Sequence, residues 1–196
     1  MKKLLITGFE PFGGERVNPS WEAVRQLDGQ IGVWQLTKLQ IPTVFGAAAQ
    51  AVLDAVEEQR PDAVICVGQA GGRSGITPEV VAINLREASI PDNAGRQPVN
   101  EPVVPGGPAA YFSTLPVREM VDAVKAAGLP CALSCSAGTF VCNDVLYALL
   151  HRLSGSGIPA GFIHVPYLPE QAKEGVPCLP LDSIRRALTI AIETLP

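Results

Sequence analysis

Short apolar segments alternate along this chain with longer amphipathic segments, and this alternation constrains the fold more than any other feature. Residues 63–68 (Ala-Val-Ile-Cys-Val-Gly) are a continuous apolar run, which is typical of a strand buried on both faces. The pattern predicts strands at 2–7, 32–41, 63–68, 76–85, 131–135 and 160–166, with helices at 19–27, 44–58, 116–127, 142–153 and 183–193. Alternating strands and helices predict a three-layer α/β/α sandwich with a mixed, mostly parallel twisted sheet, in which ligands collect at the carboxyl ends of the strands.

Length and composition limit the classes of function that fit. At 196 residues we expect a single domain spanning 1–196. A net charge of −4 without any cluster of Lys or Arg argues against nucleic-acid binding. No apolar stretch approaches the length of a membrane-spanning helix, and the short N-terminal apolar run indicates a first strand rather than a signal peptide. We therefore expect a cytoplasmic protein without membrane contact.

The cysteines and histidines argue against a metal site. The five cysteines are an odd number without the spacing of a disulfide framework, as expected of reduced thiols. There is no C-x-x-C pair, and the chain has only two histidines, so we expect neither a bound metal nor another cofactor.

Cys142 is a candidate nucleophile. It ends the run Ser-Ala-Gly-Thr-Phe-Val-Cys at 136–142, between a predicted strand and a predicted helix. Free N–H groups and the positive end of the dipole at a helix N-terminus favour a thiolate, and the same N–H groups can stabilise an oxyanion. Most free cysteines are simply small buried hydrophobic residues, and the local sequence alone favours that second interpretation.

A cysteine nucleophile generally needs a base, most often His, and the chain offers His151 and His164. His151 follows Cys142 on the same predicted helix by nine residues, which puts it on the opposite side and about 13 Å further along the axis. His164, near the end of the predicted strand 160–166, remains as the partner if Cys142 is the nucleophile. Its alternative role is that of a satisfied imidazole in the core.

Glu79 is the candidate carboxylate for orienting that imidazole. Strict alternation in the predicted strand 76–85 places Glu79 on an apolar face, where a charge requires a partner. The alternative is a glutamate that reaches solvent at the strand end, and the sequence leaves both open. Asp144 competes, but it falls in the first turn of the helix near Cys142, where the helix dipole explains it more simply.

A glycine-rich loop, Gly-Phe-Glu-Pro-Phe-Gly-Gly at 8–14, follows the first predicted strand. Its spacing matches neither the dinucleotide fingerprint nor the P-loop, so it does not indicate a phosphate site. Phe9 and Phe12 are either walls of a small-molecule pocket or a hydrophobic clamp between loop and sheet. Asn18 is a predicted helix cap. The long segment 86–115 has no predicted element, and loops of that length are usually functional or interfacial.

Taken in order, these segments resemble the pyroglutamyl peptidase type I family, also called pyrrolidone carboxyl peptidase. The resemblance covers nearly the whole chain. The matching segments are 7–14, 18–20, 68–73, 76–79, 81–84, 90–93, 107–112, 137–143 and 162–166.

The resemblance implies a cysteine exopeptidase that hydrolyses the N-terminal pyroglutamyl (5-oxoproline) residue from peptides through a thioester. It implies an α/β/α fold usually assembled as a homotetramer. It also implies that Cys142 is the nucleophile, that His164 is the general base and then acid, and that Glu79 orients His164. These are the three positions that the residues themselves indicate.

The substrate contacts come from the resemblance alone. It implies six residues around the lactam ring: Phe9, Phe12, Asn18, Gln69, Phe140 and Val141. The first two flank the ring, the two amide side chains hydrogen-bond its amide, and the backbone around the last two lines the pocket. Aromatic walls and a few amides suit a neutral, flat ring better than a charged site does.

Three positions depart from the family pattern. Val80 stands where Arg or Lys is usual, but by strand alternation it points away from the face of Glu79. Ser89 stands where Arg is common, and we expect this to affect leaving-group contacts and rate rather than reaction type. Cys135 adds a second thiol near Cys142 in sequence, which favours oxidative inactivation.

Two alternatives come from other classes. A binding homologue would hold pyroglutamate-like ligands without turnover, an interpretation motivated by Ser89. A nucleoside-phosphorylase-like enzyme would share the layout and glycine loops. It would need a set of arginines for phosphate, and Arg16 and Arg73 are the only candidates in the loops.

Overall fold

The protein is described here by a computed structural model, which covers residues 1–196 with five helices and eight strands. The strands are β1 (Lys2–Phe9), β2 (Gln30–Ile31), β3 (Trp34–Ile41), β4 (Ala63–Gln69), β5 (Thr77–Pro78), β6 (Val81–Ile83), β7 (Ala110–Phe112) and β8 (Ala160–Val165). The helices are α1 (Pro19–Arg25), α2 (Ala47–Gln59), α3 (Val117–Ala126), α4 (Val141–Arg152) and α5 (Leu181–Glu193). None of these helices combines the length and the apolar character needed to cross a membrane.

Six strands form one sheet in the order β2-β3-β1-β4-β8-β5, while β6 and β7 pair separately. The neighbours β3-β1, β1-β4 and β4-β8 are parallel. The edge strands β2 and β5 are antiparallel to their neighbours. The sheet is therefore mixed and mostly parallel, as the sequence predicts.

Side chains of the central strands point alternately to the two faces of the sheet, and helices cover both faces. On β4, Ala63, Ile65 and Val67 pack into the cluster that contains α1, α3 and α5. Val64 and Cys66 pack into the cluster that contains α2 and α4. The prediction of three α/β/α layers is thereby confirmed, and the doubly covered β4 explains the apolar run at 63–68.

The chain changes direction across the sheet between β1 and β4. From β1 it passes through α1 to β3 on one side, and then through α2 to β4 on the other side of β1. The connections therefore diverge at the carboxyl ends of β1 and β4, where an α/β sheet leaves a crevice. Phe9 ends β1 and Gln69 ends β4, and both line that crevice.

Two predicted strands are wrong in detail. The segment 76–85 divides, because β5 joins the main sheet beside β8 whereas β6 pairs with β7. Pro78 is the last residue of β5; the N–H of Glu79 still donates to the Phe162 carbonyl of β8 at 2.9 Å, and the N–H of Val80 then donates to Ser134 instead. The predicted central strand 131–135 is not a strand, since it makes only isolated bridges at the sheet edge through Cys131 and Ser134.

The segment 86–115, predicted without secondary structure, is partly ordered by its own contacts. It contains β7, and a bridge joins Arg86 to Glu101. The buried Asp92 carboxylate accepts hydrogen bonds from the backbone N–H of Phe45 (2.9 Å) and from two N–H groups of its own turn. The segment is therefore anchored to the chain that leads into α2.

Candidate active site

Cys142 is the second residue of α4, and its thiol is half-buried. Phe140 occupies the N-cap position, but no side chain caps the helix. The first backbone hydrogen bond of the helix runs from Asp144 N–H to the Phe140 carbonyl, at 3.2 Å. The N–H groups of the first turn therefore remain available to a ligand, as the sequence predicts for a thiol at a helix N-terminus.

Gly68 on β4 makes room for this thiol. A Cβ atom at Gly68 would lie 2.9 Å from Cys142 Sγ and 2.6 Å from Cζ of Phe162. Contacts this short do not occur between real Cβ atoms and their neighbours, so only glycine fits without displacing the thiol or the ring. The sequence offered no specific signal for this role.

His164 and Glu79 form a buried hydrogen-bonded pair. His164 lies on β8 and Glu79 directly follows β5, which pairs with β8. His164 Nδ1 lies 2.7 Å from Glu79 Oε1, and Glu79 is completely buried. The carboxylate on the apolar face thus has a partner, and the alternative of a solvent-exposed glutamate is wrong.

Arg73 binds the same carboxylate oxygen. Its Nη1 lies 2.7 Å from Glu79 Oε1, and its guanidinium also donates to Thr77 Oγ1 and to the Ser136 carbonyl. The other carboxylate oxygen, Oε2, has no hydrogen-bond partner. Glu79 therefore binds both Arg73 and His164 through the single oxygen Oε1.

These surroundings determine the protonation states. Burial raises the pKa of Glu79, but the hydrogen bond and charge of His164, the nearby Ser134 hydroxyl and the charge of Arg73 together lower it below its usual range. Burial, together with Arg73, holds the pKa of His164 below its usual value although Glu79 opposes this. An ionised Glu79 can only accept, so Nδ1 of a neutral His164 carries the proton, and Nε2 is left as an acceptor.

The surroundings of the Cys142 thiol favour its protonated form. Burial is the largest factor that raises the pKa of Cys142 to about 12, the Glu79 carboxylate adds to it, and Arg73 opposes it. The stabilisation of a thiolate by the helix N-terminus, which the sequence predicts, is thus opposed by burial of the thiol and by the charge of Glu79.

Cys142 and His164 open into one cleft of about 340 Å³ at the crevice between β1 and β4. Fourteen residues line it: Phe9, Phe12, Asn18, Thr43, Gln69, Ala70, Gly71, Arg73, Ser136, Ala137, Gly138, Phe140, Cys142 and His164. Five of the six residues expected around the substrate are among them. Val141 is the exception, because its side chain is completely buried in the core.

The phenylalanines combine the two roles that the sequence left open. Phe9 is 2% exposed and packs against Phe162 with ring centroids 6.2 Å apart, so it is largely a clamp on the sheet that also reaches the cleft. Phe12 lies 6.0 Å from Phe140, which in turn packs edge-on against Phe45 at 5.2 Å. One wall of the cleft is therefore aromatic.

Asn18 is confirmed as the N-cap of α1, because its side chain accepts from Ser20 N–H. Its Nδ2 donates to the Glu10 carbonyl at 3.0 Å. Gln69 accepts through Oε1 a hydrogen bond from Gln171, at 3.3 Å. Both amides thus have partners within the protein as well as access to the cleft.

The competing residues lie elsewhere. His151 hydrogen-bonds through Nδ1 to the hydroxyl of Tyr111 at 2.8 Å, near the far end of α4. Asp144 is buried, pairs with Nε of Arg86 at 2.6 Å and accepts from Gly46 N–H at 2.8 Å. Asp144 therefore joins α4 to two other segments, a role that the helix dipole alone did not predict. No group of three or more His, Cys, Asp or Glu residues is arranged to hold a metal ion.

Comparison with known proteins bears directly on this arrangement. The model of the pyroglutamyl peptidase family matches residues 2–196. The pyrrolidone-carboxylate peptidase of Escherichia fergusonii is 54% identical, over 99% of this chain and 92% of that protein. This chain belongs to the pyroglutamyl peptidase family.

Solved structures of family members agree over the whole fold. The pyroglutamyl peptidase I of Bacillus amyloliquefaciens is 52% identical, with a TM-score of 0.96 over 100% of this chain and 97% of that one. A mutant pyrrolidone carboxyl peptidase of the hyperthermophile Pyrococcus furiosus is 42% identical, with a TM-score of 0.94 over 98% of this chain and 97% of that one. The chain is accordingly a cysteine peptidase that removes N-terminal pyroglutamate from peptides, and the binding-homologue and nucleoside-phosphorylase alternatives are set aside.

The three departures from the pyroglutamyl peptidase pattern lie outside the cleft. Ser89 and Cys135 are exposed, and neither lines it. The backbone N–H of Val80 donates to the Ser134 carbonyl at 2.8 Å, as part of the edge bridge.

The sequence indicates Arg73 only as a candidate for binding phosphate and misses its role beside Glu79. Its contact with Glu79 is an ion pair between residues six apart, and the doublet Gly71-Gly72 that precedes it was the only local signal.

Proposed function

We propose that Cys142, His164 and Glu79 are the catalytic triad with which this chain hydrolyses pyroglutamyl peptides. The observation that carries the proposal is the 2.7 Å contact between His164 Nδ1 and the buried Glu79 carboxylate, next to a thiol that opens into the same cleft. Glu79 selects the tautomer whose Nε2 can accept a proton.

Catalysis begins from the neutral thiol and the neutral imidazole. His164 Nε2 takes the proton of Cys142 as Sγ attacks the carbonyl carbon of the pyroglutamyl residue. The charge of Glu79 stabilises the resulting imidazolium. His164 then returns the proton to the leaving amine as the C–N bond breaks, which leaves a thioester, and a water deprotonated by His164 hydrolyses it.

The start of α4 stabilises the oxyanion in both halves of the reaction. Its first-turn N–H groups have no capping side chain, and Cys142 is itself in that turn. Such donors act on charge that develops in the transition state. The absent side-chain cap is thus explained by function rather than by stability.

The pyroglutamyl ring occupies the aromatic end of the cleft. Phe9, Phe12 and Phe140 supply apolar contact to its methylene groups, while Asn18 and Gln69 hydrogen-bond its amide. Val141 contributes only its main chain, since its side chain is buried. No Asp or Glu lines the cleft, so the positive charge of an ordinary N-terminal amine would be desolvated there without a partner.

We further propose that residues 1–196 form one domain, that the protein works in the cytoplasm and that it assembles as a homotetramer. Two separate hydrophobic clusters on one continuous sheet support a single domain. The five free cysteines support a reducing compartment. Exposed apolar side chains at Ile90, Val99 and Phe112 support subunit contacts, which light scattering of the purified protein tests directly.

Release of a fluorophore from a pyroglutamyl amide tests the assigned nucleophile. We expect hydrolysis by the reduced wild type, and none above background by Cys142→Ala. Cys135→Ser is the matched control, because this exposed thiol does not line the cleft and should leave the rate unchanged. Turnover that survives in Cys142→Ala contradicts the assignment.

A further inference from the structure

Gln171 lies between β8 and α5, outside the cleft, and its amide has only one possible orientation. Its Oε1 accepts from the backbone N–H of Leu168 at 3.2 Å, and its Nε2 donates to the backbone carbonyl of Val17 at 3.2 Å. A backbone N–H can only donate and a carbonyl can only accept. These two bonds therefore identify the oxygen and nitrogen ends of the Gln171 amide.

The orientation of Gln69 follows from that of Gln171. Nε2 of Gln171 also approaches Gln69 Oε1 at 3.3 Å and Glu15 Oε2 at 3.4 Å. The two N–H groups of this nitrogen are shared among three acceptors, and because the nitrogen only donates, Gln69 presents its oxygen to it. The Nε2 group of Gln69 makes no hydrogen bond within the protein, and Gln69 lines the cleft.

Asn18 is oriented in the same manner. Its Oδ1 accepts from the backbone N–H of Ser20 at 3.1 Å and from the Ser20 hydroxyl at 2.8 Å, and its Nδ2 donates to the Glu10 carbonyl. One N–H of Asn18 remains free. Both amides at the ring end of the cleft therefore have hydrogen-bond donors left over, while Asn18 Oδ1 already accepts two hydrogen bonds and Gln69 Oε1 accepts one.

We propose that Gln171 is a positioning residue, which holds the Gln69 amide so that its Nε2 donates to the ring carbonyl of the pyroglutamyl group. This inference rests on the proposed role of Gln69 in substrate binding. Gln171 itself does not contact the substrate. Without it, the Gln69 amide is free to turn its oxygen toward the ring carbonyl, where two acceptors would face each other.

The surrounding structure keeps Gln171 in place. A Cβ atom at Gly71 would lie 2.3 Å from Cζ of Tyr167, so the Tyr167 ring packs directly on the backbone that follows β4. Leu179 N–H donates to the Tyr167 carbonyl at 2.9 Å and closes the segment 167–179. Gln171 therefore joins three parts of the structure: the segment 15–17 that follows the glycine-rich loop, the end of β4 and its own segment.

The arrangement also determines which ring the enzyme accepts. A pyroglutamyl ring has a carbonyl that satisfies the free donors, whereas an N-terminal prolyl ring has none and carries a charged amine. A site built to donate to a substrate carbonyl rejects the analogue that lacks it, because its own groups then remain unpaired. Orientation of Gln69 by Gln171 is thus part of the discrimination against proline.

Gln171→Met tests the proposal, because methionine keeps the length of the side chain and removes both hydrogen-bonding ends. We expect KM for a pyroglutamyl amide, and the inhibition constant of the bare lactam 2-pyrrolidone, each to rise about three- to tenfold with kcat nearly unchanged, as loss of one such hydrogen bond predicts. Gln30→Ala is the matched control, because Gln30 also donates from Nε2 to a backbone carbonyl but lies on the edge strand β2.

The double variant with Gln69→Ala separates positioning from a general effect on the fold. If Gln171 acts through Gln69, then Gln171→Met adds nothing to Gln69→Ala in KM or in 2-pyrrolidone inhibition. An equal rise of KM in both backgrounds, or no rise in Gln171→Met alone, overturns the proposal. Binding unaffected by Gln69→Ala overturns it together with the assigned role of Gln69. That result is distinct from failure of the proposed nucleophile, which the Cys142→Ala variant reports.

Discussion

Replacement of Glu79 by glutamine isolates the charge of the carboxylate from its geometry. Arg73 and His164 both bind Oε1, while Oε2 has no partner. In Glu79→Gln the amide oxygen can occupy the Oε1 position and keep both donors, with the amide nitrogen at the unpartnered position. The tautomer of His164 is therefore retained, and the change removes one negative charge.

The size of the effect follows from Coulomb's law. With the imidazolium and carboxylate charge centres about 4 Å apart and an effective dielectric constant of about 20, the lost attraction is about 4 kcal/mol, or about a thousandfold in rate. The loss falls on kcat, because the imidazolium exists only during the reaction. Glu79 does not line the cleft, so KM should change little.

Steady-state hydrolysis of a pyroglutamyl amide measures both constants, and a thermal melt monitors folding. Glu57→Gln is the matched control, because it removes a carboxylate that pairs with Arg152 on the surface at 63% side-chain exposure. A folded Glu79→Gln enzyme with more than about a tenth of the wild-type kcat contradicts the stabilisation of an imidazolium by Glu79.

Two further predictions concern the thiol and the imidazole. Gly68→Ala should lower kcat more than tenfold and destabilise the fold by about 1–3 kcal/mol, because the new methyl group overlaps Cys142 Sγ and the Phe162 ring. An unchanged melting temperature and kcat would contradict this close contact between Gly68 and the thiol. kcat/KM should fall as pH drops through the pKa of His164, which lies below its usual value of about 6.5. The free energy of unfolding should fall over the same range, since His164 in the unfolded chain binds its proton at a higher pH than in the folded protein. The chain has two histidines, so His151→Gln leaves one imidazole for an NMR titration. A His164 pKa above the usual value would reverse the expected change in stability and would move the fall in kcat/KM to a higher pH.

The sequence predicts the layers and the three proposed catalytic positions because those depend on local pattern. The apolar run at 63–68 indicates burial on both faces of β4. The exclusion of His151 as the partner of Cys142 needs only helix geometry, because nine residues along a helix put it on the opposite side. The limits of the five helices also agree closely, as for α5, expected at 183–193 and found at Leu181–Glu193.

The rest depends on contacts between distant residues. The break between β5 and β6 arises because β6 pairs with β7, which the sequence did not distinguish within 86–115. The pKa of Cys142 is set by how much protein surrounds the thiol, and no sequence pattern reports that amount. Gln171 orients Gln69 from 102 positions away, so neither residue carries a local sign of the other.

The central claim is that Cys142 is the nucleophile, and alkylation by iodoacetamide followed by peptide mass mapping tests it most directly. We expect loss of activity to parallel modification of Cys142, and 2-pyrrolidone to slow both to the same extent. Activity lost in parallel with modification of Cys135, or modification of Cys142 without loss of activity, would contradict it.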